Sequence, residues 1–182
     1  MSKIMNFLSD LETGPNAPEV VYAVIEIPKG SRNKYEYDKK RGVFMLDRVL
    51  HTAAYYPGDY GFIPQTHCED GDPLDVLVLT ANPSFPGCVI PVRPIGVIHM
   101  NDGGEMDDKI LAVPVDDPHQ KHIKDSKDMP EYVIQEAAQF YENYKVLEGK
   151  KPVKITGWEG KAAAHKVILE SIELYKKKPA GK

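Results

Sequence analysis

Short apolar runs separated by turn formers fill the first two thirds of the chain. Val, Ile and Leu dominate residues 20–27, 43–50, 76–80, 89–92, 95–100 and 110–115, and Gly, Pro, Asn or Asp punctuate the intervals. Each run has the length of a strand and falls well short of a membrane span. Residues 34–38 alternate charged and aromatic side chains, a period of two that puts Lys34, Glu36 and Asp38 on one strand face. The period changes after Asp117. Residues 128–131, Asp-Met-Pro-Glu, supply an N-cap, a proline in the first turn and a Glu at the capping-box position. Ile134, Ala138, Tyr141 and then Tyr144 or Lys145 recur at helical spacing up to Gly149, a natural C-cap. Residues 153–156 read as one more strand, and Ala164, Val167, Ile168, Ile172 and Tyr175 stripe a terminal helix. No repeat or linker divides the chain. The expectation is one α+β, mainly β domain, with an N-terminal segment at 1–19, a small OB-like closed β-barrel over 20–115, and two helices packed against it within 128–177.

Composition narrows the function classes. With 42% hydrophobic and 27% charged residues in 182, the chain can bury a core and is not a disordered polyelectrolyte. Its net charge of −4 disfavours a protein built to coat nucleic acid or an anionic membrane. The two cysteines, Cys68 and Cys88, are too sparse for a zinc ribbon or a disulfide framework and read as free thiols of a reducing compartment. The first ten residues lack the apolar stretch of a signal peptide, so the expected location is the cytoplasm.

Candidate chemistry gathers in two acidic stretches. Residues 69–76, Glu-Asp-Gly-Asp-Pro-Leu-Asp-Val, crowd Asp70, Asp72 and Asp75 beside a strand. At an effective dielectric of about 20, two carboxylates roughly 4 Å apart repel by about 4 kcal/mol, so such groups are solvated apart, partly protonated or bridged by cations. Taken alone, an acidic turn and a metal site fit equally well. Residues 102–108, Asp-Gly-Gly-Glu-Met-Asp-Asp, form a second acidic loop between predicted strands and run straight into Lys109. Oxygen-only donors, with no His or Cys inside either acidic stretch, suit Mg²⁺ or Mn²⁺ better than zinc, and Pro73 and Ala81 fall where a calcium EF-hand loop needs ligands. Lys34, Arg48, the tyrosines of residues 55–62 and the Tyr144–Lys145 pair add basic and aromatic groups. Each has a bland reading as a solvated face or packed core. Together with two acidic loops they suit a metal-held polyphosphate, with Lys and Arg on its oxygens.

At these residues the chain resembles the soluble Mg²⁺-dependent inorganic pyrophosphatases of the first structural class, family I. Residues 70–75 are similar to the signature D-G-D-P-x-D, and the other landmarks follow in family order: Val-Ile-Glu-Ile-Pro at 24–28, Lys34 and Glu36, Asp47 and Arg48, Tyr-Pro-Gly-Asp-Tyr-Gly at 56–61, Asp102 with Asp107 and Lys109, and Tyr144 with Lys145. The resemblance implies that Asp70, Asp75 and Asp107 hold two metal ions, with Asp75 bridging. It also implies that Asp102 joins Asp107 on an ion that arrives with substrate, and that Glu36 holds a further one. Asp72 is the implied general base. Lys34, Arg48, Lys109 and Lys145, with Tyr60 and Tyr144 as neutral donors, are the implied pyrophosphate ligands, supported from behind by Glu26, Tyr56 and Asp59. Several Mg²⁺ ions per site are implied, with Mn²⁺ or other divalent ions as substitutes, and a homo-oligomer, a hexamer rather than a dimer at this length. Two readings of other kinds stay open. An OB-type module would bind single-stranded nucleic acid through Tyr35, Tyr37, Tyr55, Tyr56 and Tyr60, although the acidic loops oppose a phosphate backbone. A metal-dependent phosphoesterase acting on other phosphates would use the same ligand set.

Overall fold

A computed structural model describes residues 5–69 and 71–177. The chain is mainly β with two helices. Its strands are β1 (Val21–Ile27), β2 (Asn33–Asp38), β3 (Val43–Val49), β4 (Asp59–Phe62), β5 (Asp75–Val78), β6 (Val89–Asp102), β7 (Glu105–Met106), β8 (Lys109–Pro114) and β9 (Val153–Gly160), and its helices are α1 (Glu131–Asn143) and α2 (Lys161–Lys177). Seven strands make one sheet in the order β1-β4-β5-β8-β6-β7, with β9 also on β6. Because β1 pairs with both β4 and β6, the hydrogen-bonded pairings return to the strand they start from. β2 and β3 form a separate hairpin.

Alternation along the strands divides the core between two sheet faces. Leu77 of β5 and Leu111 and Val113 of β8 pack with Ile134, Phe140 and Tyr141 of α1. Their neighbours Val76, Val78, Ile110 and Ala112 pack with Ala164 and Ile168 of α2. Burying a Leu, Ile or Phe side chain contributes about 1.5–3 kcal/mol, so both helices are held chiefly by their apolar stripes. Gly61 lets β4 come close to β1: a Cβ there would lie 1.9 Å from the Val24 carbonyl oxygen.

Several elements depart from the sequence expectation. The runs at 89–92 and 95–100 are one strand, β6, whose register slips between Pro94 and Gly96, since an irregularity accommodates a residue that cannot donate to the ladder. β4 is additional; Pro57, Gly58 and Gly61 hide a four-residue strand. β7 turns part of the second acidic loop into a hairpin. β9 runs past residue 156 to Gly160. The capping box belongs to Asp125 and the short turn Ser126–Asp128, and α1 starts after Pro130. α1 stops at Asn143; Gly149, at φ 66°, caps the following turn, Val146–Glu148.

Candidate active site

Parallel pairing of β5 with β8 builds the centre of the site. Its register sets Asp75, the first residue of β5, opposite Lys109, the first residue of β8. Period-two alternation then turns both side chains to the α1-covered face that carries Leu77, Leu111 and Val113. The Lys109 ammonium, 4% exposed, is ion-paired to Asp75 and to Asp107, two residues before it. Burial alone would lower the Lys109 pKa, but the two carboxylates outweigh it and hold the group above the ordinary lysine value. Burial pushes Asp75 up, with Lys109 and a hydrogen bond from the Tyr60 hydroxyl working the other way.

Around this centre, Glu26, Lys34, Glu36, Tyr60, Asp72, Asp75 and Asp107 line one cleft of about 270 Å³. Lys34 and Glu36 are ion-paired on one face of the β2–β3 hairpin, and Arg48 sits cross-strand from Lys34. Arg48 Nε donates to Glu148 Oε2 at 2.9 Å, and its Nη1 is paired with Asp47. Desolvation pushes the Glu26 carboxyl to about 8, against the opposing Tyr37 N–H that it accepts at 2.7 Å. At the end of β6, Asp102 is ion-paired to Lys145. The Lys145 ammonium lies 5.3 Å from the Tyr144 ring centre. Burial opposes the charge on Lys145, yet Asp102 holds its pKa above the ordinary value. Burial also raises Tyr56, Tyr60 and Tyr144, which keeps their hydroxyls neutral at physiological pH.

Two of the candidate residues sit differently from the rest. Tyr56 packs on Tyr60 and Phe140, at ring separations of 5.5 and 4.7 Å, and so buttresses the cleft from behind. Asp59 is fully buried and accepts the Lys29 and Ser84 backbone N–H groups at 2.7 and 3.0 Å; its carboxylate ties loops together and, among the described residues, is hydrogen-bonded to no candidate ligand. Asp70 lies outside the described residues. Asp72, with its side chain 70% exposed, faces the cleft mouth and is paired at 2.8 Å with Lys39 from the hairpin tip. Sequence reading overlooked Lys39 and Glu148. The first lies in a basic run that looks like ordinary solvated surface, and the second reaches the site only through a long-range ion pair with Arg48. A larger cavity, about 960 Å³, lies behind Tyr56 and Phe140 and contains none of the acidic candidates.

The donor chemistry fits a hard divalent cation. Glu36, Asp75, Asp102 and Asp107 offer only carboxylate oxygen, and a lysine ammonium stands against each of them. Among the described residues no three His, Cys, Asp or Glu side chains converge as a ready cage. A hard ion held here would complete its shell with water and substrate oxygen, the habit of Mg²⁺.

Comparison with known proteins agrees with this chemistry. The family model for inorganic pyrophosphatase matches residues 23–176. An inorganic pyrophosphatase from Haloferax volcanii is 52% identical over 172 residues, 94% of this chain and 97% of that protein. One from Geobacillus stearothermophilus is 51% identical over 157 residues, 86% of this chain and 94% of that protein. The crystal structure of the inorganic pyrophosphatase from Thermus thermophilus superposes with a TM-score of 0.91 at 50% identity, covering 94% of this chain and 99% of that one.

Proposed function

The chain belongs to the inorganic pyrophosphatase family, and we propose that its cleft hydrolyses inorganic pyrophosphate to two orthophosphates with Mg²⁺ as cofactor. The observation that carries this reading is the interleaving of carboxylates and ammonium groups around Lys109, in a chain about half identical to named pyrophosphatases over nearly its whole length. Asp75, Asp107 and Asp102 hold the ions together with Asp70, and Glu36 holds a further one. When bound, Mg²⁺ polarises phosphoryl oxygen and lowers the pKa of water.

The side chains divide the remaining work. Asp72, exposed at the mouth beside the ligand carboxylates, accepts the proton of the attacking water. As that oxygen bonds to one phosphorus, the P–O bond to the bridging oxygen breaks and the second phosphate departs. Lys34, Arg48, Lys109 and Lys145 neutralise the non-bridging oxygens, Tyr144 donates as a neutral hydroxyl, and Tyr60 does so by redirecting its single O–H from Asp75 to the substrate. Glu26 and Tyr56 support this layer from behind; Asp59 fixes the loops that carry it. We read the returning cycle of strand pairings as a small OB-like barrel. We further propose a cytoplasmic homo-oligomer, a hexamer in preference to a dimer. Among the described residues no helix is long and apolar enough to cross a membrane.

Phosphate release from pyrophosphate, ATP and a phosphomonoester, each with and without Mg²⁺, tests the reading. Pyrophosphate should be cleaved far faster than the others, and only with the cation. Equal rates on monoesters, or tight metal-free binding of single-stranded nucleic acid, would overturn it.

A further inference from the structure

Arg48 is fixed by a side chain 100 residues away in sequence. Glu148 closes the short turn after α1, and its carboxylate, 4% exposed, accepts Arg48 Nε–H at 2.9 Å. Lys150 Nζ lies 3.3 Å from the same oxygen, Oε2. The other oxygen, Oε1, is buried with no hydrogen-bond partner among the described residues. Burial works against the charge on Glu148, yet Arg48 and Lys150 hold its pKa below the usual carboxylate range.

A buried carboxylate here is electrostatically counterproductive. It sits beside a guanidinium whose assigned partner is a polyanion, and it weakens the field that partner meets. Its compensating asset is geometric. A guanidinium carries five N–H donors in a rigid fork. Glu148 takes the Nε donor and Asp47 takes one on Nη1, so the plane of the fork is fixed, and among the described residues Nη2 has no hydrogen-bond partner. The hairpin strand β3 and the turn after α1 are thereby joined at the residue that meets the phosphate.

We propose that Glu148 is a positioning residue for pyrophosphate binding, orienting the Arg48 guanidinium toward a phosphoryl oxygen. This rests on the assignment of Arg48 to the substrate. A double-mutant cycle of E148A and R48A, measured as kcat and KM for pyrophosphate at saturating Mg²⁺, separates the two ideas. E148A should raise KM about tenfold and leave kcat within about twofold, the scale of one hydrogen bond to a charged group. E148Q, whose amide oxygen still accepts from Nε, should recover most of that loss. In the R48A background E148A should change nothing further. If E148A does not fold, E148D, one methylene short of Nε, replaces it in the cycle with the same expected rise. An unchanged KM in a folded E148A or E148D enzyme, a full additional loss in the R48A background, or a failure of E148Q to recover affinity would overturn the positioning role. An unchanged KM in R48A alone would instead remove Arg48 from the substrate site.

Discussion

Lys109→Met tests whether internal counter-charge holds the carboxylates of the site together. The Lys109 side chain is 4% exposed, and Asp75 and Asp107 are 22% and 31% exposed, so all three are poorly screened by water. At an effective dielectric of about 20 and a separation of about 4 Å, each ammonium–carboxylate attraction is about 4 kcal/mol, and desolvation offsets much of it. Removing one partner of a buried ion pair nevertheless costs about 3–5 kcal/mol, because the remaining charge stays buried and unpaired. Methionine keeps the length and apolar stem of lysine, so lost packing contributes little. Metal-free K109M should therefore be about 3–5 kcal/mol less stable than the wild type in urea unfolding at pH 7, a large part of the 5–15 kcal/mol typical of a domain. Mg²⁺ at one fixed concentration, about a hundred times its dissociation constant from K109M, should restore roughly 2.7 kcal/mol to that variant. It should stabilise K109M more than the wild type, in which the ammonium already competes for the same carboxylates. A metal-free K109M within about 1 kcal/mol of wild type would refute the counter-charge account, as would a larger Mg²⁺ increment for the wild type.

Asp72→Asn and Asp75→Asn should each lower Mg²⁺-dependent turnover at least about a hundredfold while the far-ultraviolet circular dichroism stays unchanged; wild-type phosphate release by either would remove that residue from the mechanism. Lys34→Ala should act mainly on KM for pyrophosphate, by about tenfold, and identical kinetics would take it out of the site. Glu26 gives a pH signature. Its pKa is raised from 4.5 to about 8, so the stability it confers is complete below 4.5 and is lost as pH rises through 8. The difference, 8 − 4.5, corresponds to at most about 5 kcal/mol. Metal-free E26Q should accordingly be more stable than the wild type at pH 9 and not at pH 4; parallel pH–melting curves for the two proteins would contradict this.

Local chemistry in the sequence carries much of the fold and the acidic half of the site. β-branched runs and turn formers mark most strands because the central strands bury apolar side chains on both faces of the sheet. α1 and α2 are visible as stripes because their stability comes from those stripes. What periodicity misses is contact between distant segments. The β4 strand is legible only once Gly61 is seen pressed against the Val24 carbonyl. Asp75 is visibly acidic, but its opposition to Lys109 arises from a parallel register between segments 34 residues apart. Nothing in the local pattern encodes that register. Glu148 is the extreme case: an acidic residue before a glycine in a short turn has every appearance of solvated surface, and only the fold brings it under Arg48.

The long-range pairings also change how the charges of the site must be counted. Read along the sequence, aspartates and lysines form two separate sets, one for metal and one for substrate. In the folded chain they are the same set of pairs: Lys34 with Glu36, Lys109 with Asp75 and Asp107, Lys145 with Asp102. An ammonium held by two carboxylates has little net positive field to offer a phosphate, since the trio Lys109, Asp75 and Asp107 sums to one negative charge. On the proposed assignment, the lysines therefore become effective phosphate ligands to the extent that their carboxylates are neutralised by something else. Affinity for a divalent cation and affinity for a polyanion are thus linked through shared side chains. By the reciprocity of coupled binding, the factor by which a bound cation raises affinity for the polyanion is the factor by which the bound polyanion raises affinity for the cation.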